Sequence, residues 1–109
     1  MGLTKSEIFT TEQNQIARLA KTMGHPARIA IMQHLAKVNA CICGDLVEEI
    51  GLAQPTISQH LRELKNAGFI TGNIEGTSVC YCINKEKWTE IEQIISSFMH
   101  TIGKAIGCC

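Results

Sequence analysis

Ile57, Leu61 and Leu64 recur at i, i+4 and i+7, which is one apolar stripe of an amphipathic helix, while Thr56, Ser58, Gln59, His60, Arg62 and Lys65 lie off it. Pro55 suits the first helical position, where its fixed φ fits and its missing N–H orphans no donor. Just upstream, Asp45-Leu-Val-Glu-Glu-Ile50 is a short amphipathic segment closed by Gly51, a residue able to take the left-handed conformation that ends helices. A short helix, a tight turn and a second helix over 45–66 form a helix-turn-helix pattern.

After Gly68 the period changes. Val79, Tyr81 and Ile83 alternate, and the run 69–83 reads as two strands about a Gly-containing turn, with Cys80 and Cys82 on the opposite face from the alternating apolar residues. Helical spacing returns over 87–106, where Ile91, Ile94, Ile95, Phe98, Ile102 and Ile106 make a stripe suited to pairing with another copy. The pattern predicts a mostly α chain with a small β-hairpin wing (α+β), a winged helix-turn-helix in a single domain over 1–109.

Short and medium donors and acceptors on one helix face are the side-chain types that reach base edges and phosphates in a major groove. Gln54, Thr56, Ser58, Gln59, His60, Arg62 and Lys65 are the candidate DNA-contacting residues of the helix, with Asn73 and Thr77 on the wing. Three stretches carry a wider likeness: Leu19-Ala-Lys-Thr-Met-Gly-His-Pro-Ala-Arg-Ile-Ala-Ile-Met-Gln-His-Leu35, Gly51-Leu-Ala-Gln-Pro-Thr-Ile-Ser-Gln-His-Leu61 and Gly76-Thr-Ser-Val-Cys-Tyr-Cys-Ile83. With these in order over nearly the whole chain, it resembles the ArsR/SmtB family of winged-helix transcriptional repressors. That resemblance implies a homodimer built from the first and last helices, about 10–24 and 87–106, which binds double-stranded DNA at an inverted-repeat operator and leaves it when an inducer binds.

Composition allows this picture. The chain has 109 residues, 45% hydrophobic and 18% charged, enough apolar material for one small core with some left for a dimer surface. Ten basic residues balance ten acidic ones, so attraction to phosphate must come from distribution. Residues 15–38 hold Arg18, Lys21, Arg28 and Lys37 with no acid, whereas 41–52 hold Asp45, Glu48 and Glu49 with no cation. The wing turn has Asn73, Glu75 and Thr77 in place of cations, so few phosphate contacts and a shallow salt dependence are expected. No apolar run is long enough to span a bilayer and the N-terminus lacks a signal-peptide core, so a cytoplasmic protein without membrane partners is expected.

Six cysteines form the second informative feature: Cys41-Ile-Cys43, Cys80-Tyr-Cys82 and Cys108-Cys109. Thiols in a reducing compartment serve more often as ligands or redox sensors than as structural bridges. Cys-x-Cys on extended backbone puts both sulfurs on one face, able to share a soft ion such as arsenite, antimonite, cadmium or cuprous copper. The family's arsenic and cadmium sensors carry Cys-Val-Cys-Asp-Leu before the helix-turn-helix, whereas Cys41-Ile-Cys43-Gly-Asp-Leu46 has one extra residue. Either the segment is offset by one and the sulfurs still meet the ion, or Cys41 and Cys43 are buried small hydrophobes. The terminal pair has no packing role to explain it. Cys41, Cys43, Cys108 and Cys109 are therefore the candidate metal ligands, and Cys80 and Cys82 read as structural wing residues. The zinc pattern of related sensors is absent from the last helix, which offers only His100.

No Ser/His/Asp constellation or carboxylate pair points to catalysis, so the chain reads as a non-enzyme requiring no cofactor. The sequence supports a repressor released by As(III), Sb(III) or another soft metal ion bound by thiolates. A thiol-redox or persulfide-sensing repressor of the same fold, and a cysteine-rich metal-binding protein without DNA function, are the alternatives.

Overall fold

The computed structural model describes residues 5–38, 46–75, 78–105 and 107. Six helices and a hairpin follow in order among the described residues: α1 Lys5–Ile8, α2 Thr11–Met23, α3 Pro26–Val38, α4 Leu46–Ile50, α5 Gln54–Asn66, β1 Ile70–Glu75, β2 Ser78–Ile83 and α6 Lys85–Lys104. The mostly helical chain with a two-stranded antiparallel wing is the fold class expected from the sequence.

Local chemistry sets the ends of the elements. Thr10 and Gln13 cap α2 reciprocally: Gln13 N–H donates to Thr10 Oγ1 at 3.0 Å and Thr10 N–H to Gln13 Oε1 at 2.9 Å. Gly51 has φ +83°, the left-handed turn between α4 and α5 that its position suggested. Helix α5 begins at Gln54 with Ala53 as its N-cap, so Pro55 follows the first helical residue instead of occupying it. Helix α6 starts at Lys85, two residues before the expected 87, because Asn84 Oδ1 accepts from Lys87 N–H and caps it there.

Helix α3 packs against α2, α4, α5 and β2, and is the centre of the monomer. The core joins Leu19 of α2, Ile31, Met32 and Leu35 of α3, Leu46 of α4, Ile57, Leu61 and Leu64 of α5, Phe69 and Ile70 beside the wing, and Ile91 of α6. In the hairpin Ile70 pairs with Ile83, Gly72 with Tyr81 and Asn73 with Cys80. One face carries Val79, Tyr81 and Ile83, and Tyr81 and Ile83 pack on the core; Cys80 and Cys82 share the other face, as the alternation implies.

Only Ile91 of α6 is buried, and the helix runs on past the body with Phe98, Met99 and Ile102 exposed. The radius of gyration is 16.7 Å. A closed globule of this length would have about 13 Å. The excess measures how far the chain departs from a self-contained body.

Between α5 and β1 the backbone turns through Gly68, at φ +91°, with the Lys87 side chain laid over it. A Cβ there would come within 2.8 Å of Lys87 Cγ. Gly68→Ala should therefore destabilise the fold by at least about 1 kcal/mol, from backbone strain at positive φ with displacement of Lys87 added. Urea unfolding would read this as a lower midpoint at unchanged slope, and an unaltered midpoint would contradict it.

Candidate nucleic-acid interface

The buried stripe of α5 is Ile57, His60, Leu61 and Leu64. Opposite it, Pro55, Gln59, Arg62 and Asn66 run down the centre of the exposed face at helical spacing. Gln54, Ser58 and Lys65 form the flank nearest the wing: Gln54 and Ser58 line a cavity of about 270 Å³ together with Val79 and Tyr81, and Lys65 Nζ lies 3.5 Å from a Cβ built on Gly72. Gln54 Nε2 donates to Ser58 Oγ at 3.0 Å, so these two are already oriented by each other. Thr56 lies on the remaining exposed flank.

Gln54, Thr56, Gln59, Arg62 and Lys65 are thus exposed together on one helix, Ser58 is half-buried beside them, and Asn73 is exposed on the wing. Thr77 lies outside the described residues. His60 departs from the expected reading face. It is 7% exposed, and its ring stacks at a tilt on His25 with centroids 4.4 Å apart. The physical reason is its place three residues after Ile57 and four before Leu64, which puts it on the apolar stripe.

Two arginines that sequence reading counted only as positive charge hold α5 in place. Arg28 of α3 donates from Nε to His60 Nδ1 at 3.1 Å and from a terminal nitrogen to the Thr22 carbonyl at 3.1 Å, so one side chain ties together α2, α3 and α5. Arg18 of α2 donates to the Asn66 carbonyl at 3.4 Å, placing a cation at the C-terminus of α5, where it suits the helix dipole. The Arg28 contact with His60 spans 32 residues of sequence and the Arg18 contact spans 48, and neither had a local signal.

The cysteines divide by location. Cys41, Cys43, Cys108 and Cys109 lie outside the described residues. Cys80 has no exposed surface and Cys82 is half-buried, and both are disulfide-bonded. Among the described residues, no three His, Cys, Asp or Glu side chains are grouped to hold a metal ion, and no helix is long and apolar enough to cross a membrane.

Comparison with known proteins bears on this geometry. Residues 25–71, which span α3 to the start of the wing, match the model of the bacterial regulatory protein, arsR family. An uncharacterized HTH-type transcriptional regulator of Methanocaldococcus jannaschii is 36% identical over 80 residues, covering 72% of this chain and 89% of that protein. The chain belongs to the ArsR family.

ArsR-family likeness extends past the matched segment. The transcriptional repressor PagR of Bacillus anthracis is 32% identical over 92 residues, 84% of this chain and 90% of that protein. The solution structure of a homodimeric winged helix-turn-helix DNA-binding domain from Mycobacterium bovis superimposes with a TM-score of 0.64 over 98% of this chain and 94% of that one. At 20% identity that likeness speaks for the winged helix-turn-helix fold. As an ArsR-family member the chain is a DNA-binding transcriptional regulator and not an enzyme.

Burial holds the His60 pKa below its ordinary 6.5, and the nearby His25 and Arg28 add repulsion against a second positive charge. The neutral ring is the form that accepts from Arg28, because a proton on Nδ1 would face the guanidinium. In the unfolded chain His60 takes up a proton below about pH 6.5, and in the folded chain only at lower pH. Stability from this group is therefore complete above that pH and lost as pH falls from there through the depressed folded value. His60→Gln should flatten the loss of stability between neutral pH and pH 5 in urea titrations, and an equally steep loss in the variant would refute the assignment.

Proposed function

We propose that the chain is a repressor that binds an inverted-repeat operator as a homodimer and is released when a thiol-reactive inducer, arsenite, antimonite or another soft metal ion, is captured by its cysteines. The observation that carries the DNA part of the reading is the exposed polar row on α5 set against the buried stripe of Ile57, His60, Leu61 and Leu64. From Gln54 to Lys65 that helix measures about 16 Å, enough to follow about five base pairs in a major groove. Arg62 and Gln59 stand where base edges would lie, and Lys65, Ser58 and Gln54 face the wing side and the backbone. The uncovered apolar half of α6, with Ile8 and Phe9 also exposed, supports a second copy as the cover. Moving two recognition helices out of their one-turn spacing of roughly 34 Å is a sufficient release mechanism, provided that the inducer binds the off-DNA arrangement more tightly.

The disulfide state of Cys80 and Cys82 favours a second reading, in which the inducer is an oxidant or persulfide instead of an ion. Both readings share the same DNA-bound state.

Fluorescence anisotropy on a duplex from upstream of its own gene tests the proposal. Arg62→Ala should weaken binding by about tenfold or more without lowering the unfolding midpoint. Lys65→Ala should weaken it less and reduce the slope of log affinity against log salt by about one. Wild-type affinity in both variants would sink the placement of α5.

Stoichiometric arsenite should release the reduced protein from that duplex. Cys108→Ser together with Cys109→Ser should abolish the release and leave DNA affinity intact. Release that persists in the double variant would remove the terminal pair from the site, and a duplex that stays bound at excess arsenite would remove metalloids as the inducer.

A further inference from the structure

We propose that Gly72 on the wing is a positioning residue for DNA binding. The space above it seats the Lys65 side chain of α5 against the hairpin and presents the ammonium to a phosphate where the recognition helix and the wing meet. This rests on the reading of α5 as the DNA-contacting helix and names what aims one of its cations.

Gly72 sits inside β1, opposite Tyr81. The described glycines at positive φ are Gly51, Gly68 and Gly107, so the backbone at Gly72 has no need of a glycine. Glycine in a strand interior weakens the strand, through chain entropy and lost packing, and marks a place where another group comes close. A Cβ built on Gly72 would lie 3.3 Å from Tyr81 Cε1, 3.5 Å from Lys65 Nζ and 3.5 Å from Val79 Cγ1. Three side chains, one from α5 and two from β2, therefore converge on the space that a side chain at Gly72 would take.

Lys65 follows Leu61 by four residues and Ser58 by seven, so it continues the edge of α5 that faces the wing. Leu61 and Ser58 line the cavity shared with Val79 and Tyr81 on that edge. Among the described residues no carboxylate is paired with Lys65, in contrast to Lys87, which pairs with Glu90 at 3.4 Å. A free lysine tail surrenders much rotamer freedom when a phosphate immobilises it. Holding the tail over Gly72 before DNA arrives removes part of that loss, so the contact adds more to affinity. Phosphate contacts carry no base information, and the gain applies to any duplex sequence. With ten cations balanced by ten acids, and with Arg18 and Arg28 held in internal hydrogen bonds, a cation aimed at the duplex counts for more.

Gly72→Val fills the space with two γ-carbons and suits a strand better than glycine does. Anisotropy at several salt concentrations, on the upstream duplex and on one of unrelated sequence, should show about fivefold weaker binding to both. The slope of log affinity against log salt should fall by about one. Lys65→Ala should give the same two changes, and the double variant should bind no more weakly than either single one. The urea midpoint of Gly72→Val should not drop. Gly72→Ala, whose Cβ alone crowds Tyr81 and Lys65, provides the same cycle with less burden on the fold, and its smaller loss should vanish on the Lys65→Ala background. Losses that multiply in the double variants, or an unchanged salt slope in Gly72→Val, would overturn the positioning role. Without DNA, the ring proton resonances of Tyr81, the single tyrosine of the chain, should shift in Lys65→Ala, and an unmoved signal would overturn the seat. Equal wild-type affinity for the upstream and unrelated duplexes would instead overturn the operator reading, while the cycle on the unrelated duplex would still decide the role of Gly72.

Discussion

The carbonyl oxygen of Phe69 accepts two hydrogen bonds, from the Asn84 N–H at 3.1 Å and from Trp88 Nε1 at 3.0 Å, and the Phe69 ring meets Trp88 edge-on at 5.3 Å. Phe69 itself is fully buried. One residue therefore fixes the end of α5, the start of β1 and the first turn of α6 relative to one another. Helix α5, the hairpin and α6 all take their direction from this corner. A buried carbonyl with both lone pairs used is costly to disturb, since displacing it strands two donors at once.

A second set of contacts fixes α5 from behind. Arg28 and Arg18 place their guanidiniums on His60 and on the last carbonyls of α5. Two of the four cations in the basic stretch 15–38 are thereby committed to internal hydrogen bonds, so the charge available to meet phosphate is smaller than a count along the sequence suggests. Two of the three arginines thus serve orientation, and Arg62 is the one left exposed on α5.

What the sequence disclosed and what it hid divides along the range of the interactions. Period-3.6 stripes, Gly51 at a helix end and the alternation of Val79, Tyr81 and Ile83 are local signals, and the elements they predict are present. His60 was misplaced because its polarity outweighed its spacing, although i+3 from Ile57 and i−4 from Leu64 already put it on the buried side. The capping by Arg18 depends on a group distant in sequence, and no periodicity encodes it. The first turn of α6 was also missed, since Asn84 acts as a cap only once its backbone is held by Phe69.

Helix α6 leaves Phe98, Met99 and Ile102 uncovered by their own chain. If a second copy supplies the cover, as proposed, the free energy of that contact scales with the logarithm of protomer concentration, and folded stability ceases to be a property of one molecule. Mass action would then make the abundance of the regulator one of its own control variables. A modest fall in copy number would thin the assembled population more than proportionally, and operator occupancy would drop before any inducer appeared.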